Sequence, residues 1–167
     1  MKFFLFFFSI FIFFFNISFS TAGDKIAFVD LNYILSESNE GKKILAQLEI
    51  DNKKNIEFFR LEEEKLKKEN QNIEKLKNIL STEEFSNKIN ILKNKVNTYN
   101  LKKSDKIKLF EETKNAELNI FFAKLNEIMD SFMQENSIQI VLDKKNIVMA
   151  NNKNDISKDI LKLINKK

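Results

Sequence analysis

Hydrophobic positions change their pattern three times along the 167-residue chain. Residues 1–22, MKFFLFFFSIFIFFFNISFSTA, are almost continuously apolar. After them, KIAFVDLNYIL (Lys25–Leu35) is short, dense in apolar residues and strand-like. From about Ser36 the apolar residues thin to a spacing near 3.5: Leu45, Leu48, Phe59, Leu66, Ile73, Leu76 and Leu80. That spacing predicts a long helix packed in a coiled coil, with a seam interrupted by Asn52, Asn55, Glu62 and Glu69. At LSTEEF the pattern restarts. Ser81 with Glu84 three residues on has the form of a capping box, which predicts a turn near residues 80–82. The same two residues could instead sit inside one unbroken rod. Phe85, Ile89, Leu92, Val96, Tyr99, Ile107 and Phe110 continue the helix. Leu118, Phe121, Leu125, Ile128 and Phe132 carry it, after a register shift, to about Asn136.

Two helices of similar length joined by a short connection fold back as an antiparallel hairpin. The chain then returns to its starting point, bringing Ile138–Asp143 beside Lys25–Leu31. In SIQIVLDKKNIVMANN, Ile138, Ile140 and Leu142 alternate with Gln139, Val141 and Asp143. The segment predicts a strand, a polar turn over Asp143–Asn146 and a second strand over Ile147–Ala150. A short helix closes the chain, with Ser157 as its N-cap and Ile156 and Leu161 as a hydrophobic staple. The predicted fold is α+β and mostly α: a long antiparallel helical arm (36–136) on a small body (23–35 and 137–167). So small a body cannot bury an adequate core alone. Below about 40 residues, metal, disulfides or oligomerisation are usually needed.

Composition narrows that choice. The chain has no Cys and no His, so disulfides and the commonest zinc ligands are excluded. The usual general base and the strongest nucleophile go with them. With only Gly23 and Gly41 present, no glycine-rich phosphate loop can form. No enzyme, cofactor or metal is expected, and oligomerisation remains as the stabilising route. The apolar leader has one basic residue, Lys2, and small residues Ser20 and Ala22 before a plausible cleavage point. This is the layout of a signal peptide cut near Ala22; an uncleaved anchor is the alternative. The formal net charge is +4.

Three segments together, KIAFVDLNYILSESNEGKKILAQLE, LSTEEF and IQIVLDKKNIVMANNKNDISKDILKLINKK, resemble the Skp/OmpH family of periplasmic outer-membrane-protein chaperones. The resemblance spans the whole mature chain. It implies a homotrimer whose strands form a barrel-like body and whose arms enclose a cavity. Unfolded outer-membrane β-barrel proteins would be held there without ATP, in the periplasm. An exported coiled-coil scaffold, or an adaptor on an anionic lipid surface, is the alternative from another class. Nucleic acid is not an expected partner.

Candidate contact residues follow from charge and aromatic placement. Lys88, Lys93, Lys95, Lys102, Lys103, Lys106 and Lys108 share their stretch with a single acid, Asp105. If the hairpin turns at Ser81, positions summing to about 162 face each other. Lys102 then lies near Arg60, and Lys108 near Lys54. This predicts a positive collar midway along the arm for acidic clients or anionic lipid headgroups, although a solvated charged face accounts for the same lysines. In the doublets Phe58–Phe59 and Phe121–Phe122, one ring enters the seam. Phe58 and Phe122 are expected to face outward as client contacts, unless both rings belong to a wide core stripe. Ile26, Phe28, Val29, Ile140, Val141, Leu142, Val148 and Met149 are expected at strand positions of the oligomerisation body. Asp30, Asp143 and Asp155 suit turns and caps better than an acid–base pair.

Overall fold

The computed structural model describes residues 25–166, so the leader predicted over 1–22 lies outside the described residues. Strand β1 (Ile26–Val29) leads into a short helix, α1 (Leu31–Glu37). Two long helices follow, α2 (Asn39–Lys75) and α3 (Thr82–Asn136). The chain ends with strand β2 (Ile140–Asp143), two single-turn 3₁₀ segments and helix α4 (Ser157–Ile164). At 1.5 Å per residue, α2 and α3 are about 55 and 80 Å long.

The strand expected over Lys25–Leu35 stops at Val29. Asp30 ends it by accepting a 2.9 Å hydrogen bond from the Tyr33 amide, which makes Asp30 the N-cap of α1. Leu31, Ile34 and Leu35 are spaced for one helical face, and all three pack into the core. Ser38 then interrupts the helix and caps α2 through the Gly41 amide. A Cβ on Gly41 would collide with the Leu35 carbonyl oxygen, so glycine permits the close bend between α1 and α2.

The turn between the long helices occupies residues 76–81. Ser81 and Glu84 form both halves of the capping box: the Glu84 amide donates to the Ser81 hydroxyl, and the Ser81 amide donates to the Glu84 carboxylate. At the other end of α3, Ser137 adopts the left-handed region (φ 53°) and the Ile138 amide closes back on the Met133 carbonyl. That turn directs the chain into β2.

β1 and β2 pair in parallel, from Ile26 opposite Ile140 to Val29 opposite Asp143. Parallel strands need a long crossover, and here the helical hairpin supplies it. Ala27 and Val29 face a core that also contains Ile34, Phe121, Leu125 and Ile160. The core therefore sits where the root of the arm meets the body.

The second strand expected over Ile147–Ala150 does not form. Val148 and Met149 are 103% and 90% exposed. β-branched residues make a strand only with a partner edge, and one chain offers this segment none. Ser157 is likewise not the side-chain cap of α4. Its hydroxyl accepts from the Asp30 amide (2.8 Å) and so ties α4 to α1. Asp155 takes the turn position instead, accepting from the Ser157 amide (3.0 Å).

Candidate functional site

The residues expected to form the oligomerisation body divide by face. Side chains alternate across a strand. Ala27, Val29 and Val141 point to the helices; Ile26, Phe28, Ile140 and Leu142 lie on the opposite face. Of those four, only Phe28 is buried, and the other three are each more than 40% exposed. Ile26, Ile140 and Leu142 thus leave an apolar surface on a two-stranded sheet, and Val148 and Met149, beyond the end of β2, are exposed as well. A sheet of two strands is at best marginal alone.

The arm has a different construction. Its two faces meet along a regular seam. On α2 the buried or half-buried positions include Leu48, Asp51, Asn55, Phe58, Glu62, Leu66, Glu69 and Ile73. On α3 they include Leu92, Val96, Tyr99, Lys103, Lys106, Phe110, Lys114 and Leu118. Both series advance in steps of three and four residues, as the seam of a coiled coil does. The register agrees closely with a turn at Ser81: Tyr99 Oη donates to Glu63 (2.5 Å), and Lys103 Nζ lies 5.3 Å from the Phe59 ring centre.

Acids neutralise part of the predicted positive collar: of its seven lysines on α3, Lys95, Lys103 and Lys108 have acidic partners. Lys54 pairs with Asp51 and Lys108 with Glu112. Arg60 spans Glu57 and Glu64 (2.7 and 2.6 Å). Lys95 reaches Glu69 across the arm (2.6 Å), and Lys103 reaches Glu63 (2.8 Å). Lys106 stands over the Phe58 ring, 4.7 Å from its centre, a cation–π placement. Lys88, Lys93, Lys102 and Lys106 have no ion-pair partner among the described residues. Glu57, Glu63 and Glu64 of α2 stand at the height of these lysines, beside Arg60 and Lys103.

At the centre of the arm, Glu63 is held below the usual carboxylate range by the hydrogen bonds from Lys103 and then Tyr99. Burial, reinforced by Glu63, pushes the Tyr99 hydroxyl up, and Glu63 with Tyr99 raises Lys103. All three shifts keep one arrangement: an anion on α2 gripped by a phenol and an ammonium on α3.

The phenylalanine doublets also part company. Phe58 and Phe59 are both half-buried in mid-arm, meeting edge to face at 5.8 Å. Phe121 is fully buried at the root, and Phe122 packs against the same core. Phe122 is therefore not the outward ring expected from the doublet. The wide core at the root takes both faces of α3 there, where a narrow seam would take one.

Asp30, Asp143 and Asp155 each accept a backbone hydrogen bond at the start of a turn or helix. A shallow cleft of about 450 Å³ lies beside Asp30 and Asp155, but Lys144 and Ser157 engage the Asp155 carboxylate. No group of three or more potential metal ligands occurs among the described residues, and no helix among them is long and apolar enough to cross a membrane. The arrangement offers surfaces for contact.

Comparison with known proteins bears on which contacts these are. The family described as Outer membrane protein (OmpH-like) matches residues 25–164. Among solved structures, the chain is similar to an OmpH-like candidate outer membrane chaperone from Caulobacter crescentus CB15. The TM-score is 0.74 at 19% identity, over 87% of this chain and 86% of the other. No curated protein matches the sequence.

Proposed function

Since the chain belongs to the OmpH-like family of outer membrane proteins, we propose that it is an ATP-independent periplasmic holdase. Its clients are unfolded outer-membrane β-barrel proteins, and its working form is a homotrimer. The observation that carries this proposal is the open apolar face of Ile26, Ile140 and Leu142, together with the exposure of Val148 and Met149. A soluble domain rarely leaves such a face to water without a partner. Strands from other copies would complete the sheet, and Ile147–Ala150 would then gain the edge it lacks within one chain. Arms rooted in such a body would stand side by side and leave a space between them. Exposed apolar residues on α3, among them Leu101, Leu109 and Ile120, would give an unfolded chain weak and distributed contacts there.

Two measurements test the proposal. The chain lacking residues 1–22 is expected to have the mass of a trimer in solution, and a monomer overturns the assembly. An unfolded β-barrel protein diluted from denaturant is expected to stay in solution when one trimer equivalent is present. Undiminished light scattering overturns the holdase role even if the trimer stands.

A further inference from the structure

The charges in the arm seam are sorted by helix. The charged residues of α2 that are not fully exposed are Glu40, Asp51, Glu62 and Glu69, all acidic. On α3 they are Lys103, Lys106, Lys114 and Lys124, all basic. The ion pairs between the two helices obey the same rule. Among the described residues they are Glu40–Lys124, Glu63–Lys103 and Glu69–Lys95, each with its acid on α2 and its base on α3. The exposed surfaces show no such sorting. There, α2 carries Lys42, Lys53 and Arg60, and α3 carries Glu111, Glu112 and Glu117.

We propose that this sorting is a pairing code: it directs α2 onto α3 in a single register and excludes α2 on α2 and α3 on α3. Charges at coiled-coil seams select partners and orientation, and much of that selection comes from repulsion in the wrong pairing. Two α2 helices would bring four half-buried acids face to face, and two α3 helices would do the same with four lysines. The apolar seam residues cannot make this distinction. Leu48, Leu66 and Ile73 on one side and Leu92, Val96 and Leu118 on the other are interchangeable in kind. The code matters most in mid-arm, where no seam position of α2 between Leu48 and Ile73 is fully buried. It rests on the fold alone and is independent of any client.

The test uses the whole chain without residues 1–22. It contains no cysteine, so spin labels can be placed at exposed Asn52 and Thr113, on opposite helices at the same height. The labelled parent, mixed with an excess of unlabelled chain so that any assembly carries a single labelled copy, is expected to give one narrow distance distribution. Lys95→Glu, Lys103→Glu, Lys106→Glu and Lys114→Glu together make both sides acidic. They should broaden the distribution and at least double the mean distance. Adding Asp51→Lys, Glu62→Lys, Glu63→Lys and Glu69→Lys exchanges the two signs and should restore the narrow distribution. Reversing the exposed Lys67, Lys68, Lys88 and Lys93 should leave it unchanged. An unaltered distance in the first variant overturns the code, because packing then suffices. Failure of the exchange to restore the distance overturns it too, as does equal broadening in the exposed control.

Discussion

The same two helices are joined by different physics at their two ends. At the root, α3 lays Phe121 and Leu125 into a core with Ile34 and Ile160, and all four side chains are fully buried. In mid-arm, Asp51, Asn55 and Glu62 of α2 meet Tyr99, Lys103 and Lys106 of α3 across a half-exposed seam. Burial of large apolar side chains stabilises by about 1.5–3 kcal/mol each, whereas exposed ion pairs contribute about 0–1 kcal/mol. The contrast teaches that the arm is anchored at one end and only registered along its length. Stability is concentrated where the chain termini of the fold meet, and adaptability is left where contact with other molecules is proposed.

The sharpest way to break this contrast is to truncate the same residue type in both places. Phe121→Ala should cost about 3–5 kcal/mol of unfolding free energy. Phe59→Ala, at a half-buried site, should cost well under half as much. Urea denaturation of the two variants decides the matter, and equal losses would remove the distinction between root and arm. A smaller effect is expected from Gly41→Ala. The new Cβ meets the Leu35 carbonyl, and overpacking of this kind costs about 1–3 kcal/mol. Arm tilt relative to the body, followed by small-angle scattering, should change with it. Ser81→Ala removes the capping box at the far end of the arm and should cost about 1 kcal/mol. Hydrogen exchange should quicken in residues 82–90 while the strands keep their protection.

The smallest effect is acid-dependent and belongs to the body. Burial alone would raise the Asp155 carboxyl, but the Ser157 hydroxyl and amide, with Lys144, outweigh it and hold the group below its usual range. A carboxyl depressed in the folded state contributes stability above its unfolded value, near pH 4. That contribution is lost as pH falls through the lower folded value. Stability should therefore decline below about pH 4, and Asp155→Asn should flatten that decline. Thermal unfolding between pH 2.5 and 6, a range chosen around the usual aspartate value of about 3.9, measures it.

Local signals were legible in the sequence, and signals that depend on a distant partner were less so. Ser81 and Glu84 announce their turn because both halves of the capping box lie within four residues. The 3.5-residue spacing of Leu66, Ile73 and Leu92, Tyr99 fixes the seam for the same reason. By contrast, Leu31–Leu35 has the composition of a strand, and the Asp30 cap together with the core beneath Leu31, Ile34 and Leu35 makes it a helix. Ser157 looks like a cap because its neighbours do, yet its hydroxyl reaches a backbone amide 127 residues away. Val148 and Met149 have strand chemistry without an edge to join. The lysines of α3 can be counted in the sequence, but their charge cannot be judged without the acids that the hairpin brings alongside.

The parallel pairing of Ile26 with Ile140 also fixes an order of events in time. β1 leaves the ribosome early and must wait for its partner while more than a hundred residues are made. Bringing the two together as a bare loop would carry a closure cost that grows with loop length. Folding of the hairpin first, from its capped turn toward the root, removes most of that separation through local contacts, which form fastest. If the hairpin folds first, the sheet is the last part of the chain to close. On that route the surface proposed for assembly forms only once both long helices are in place, and a chain with an unfinished arm would lack it.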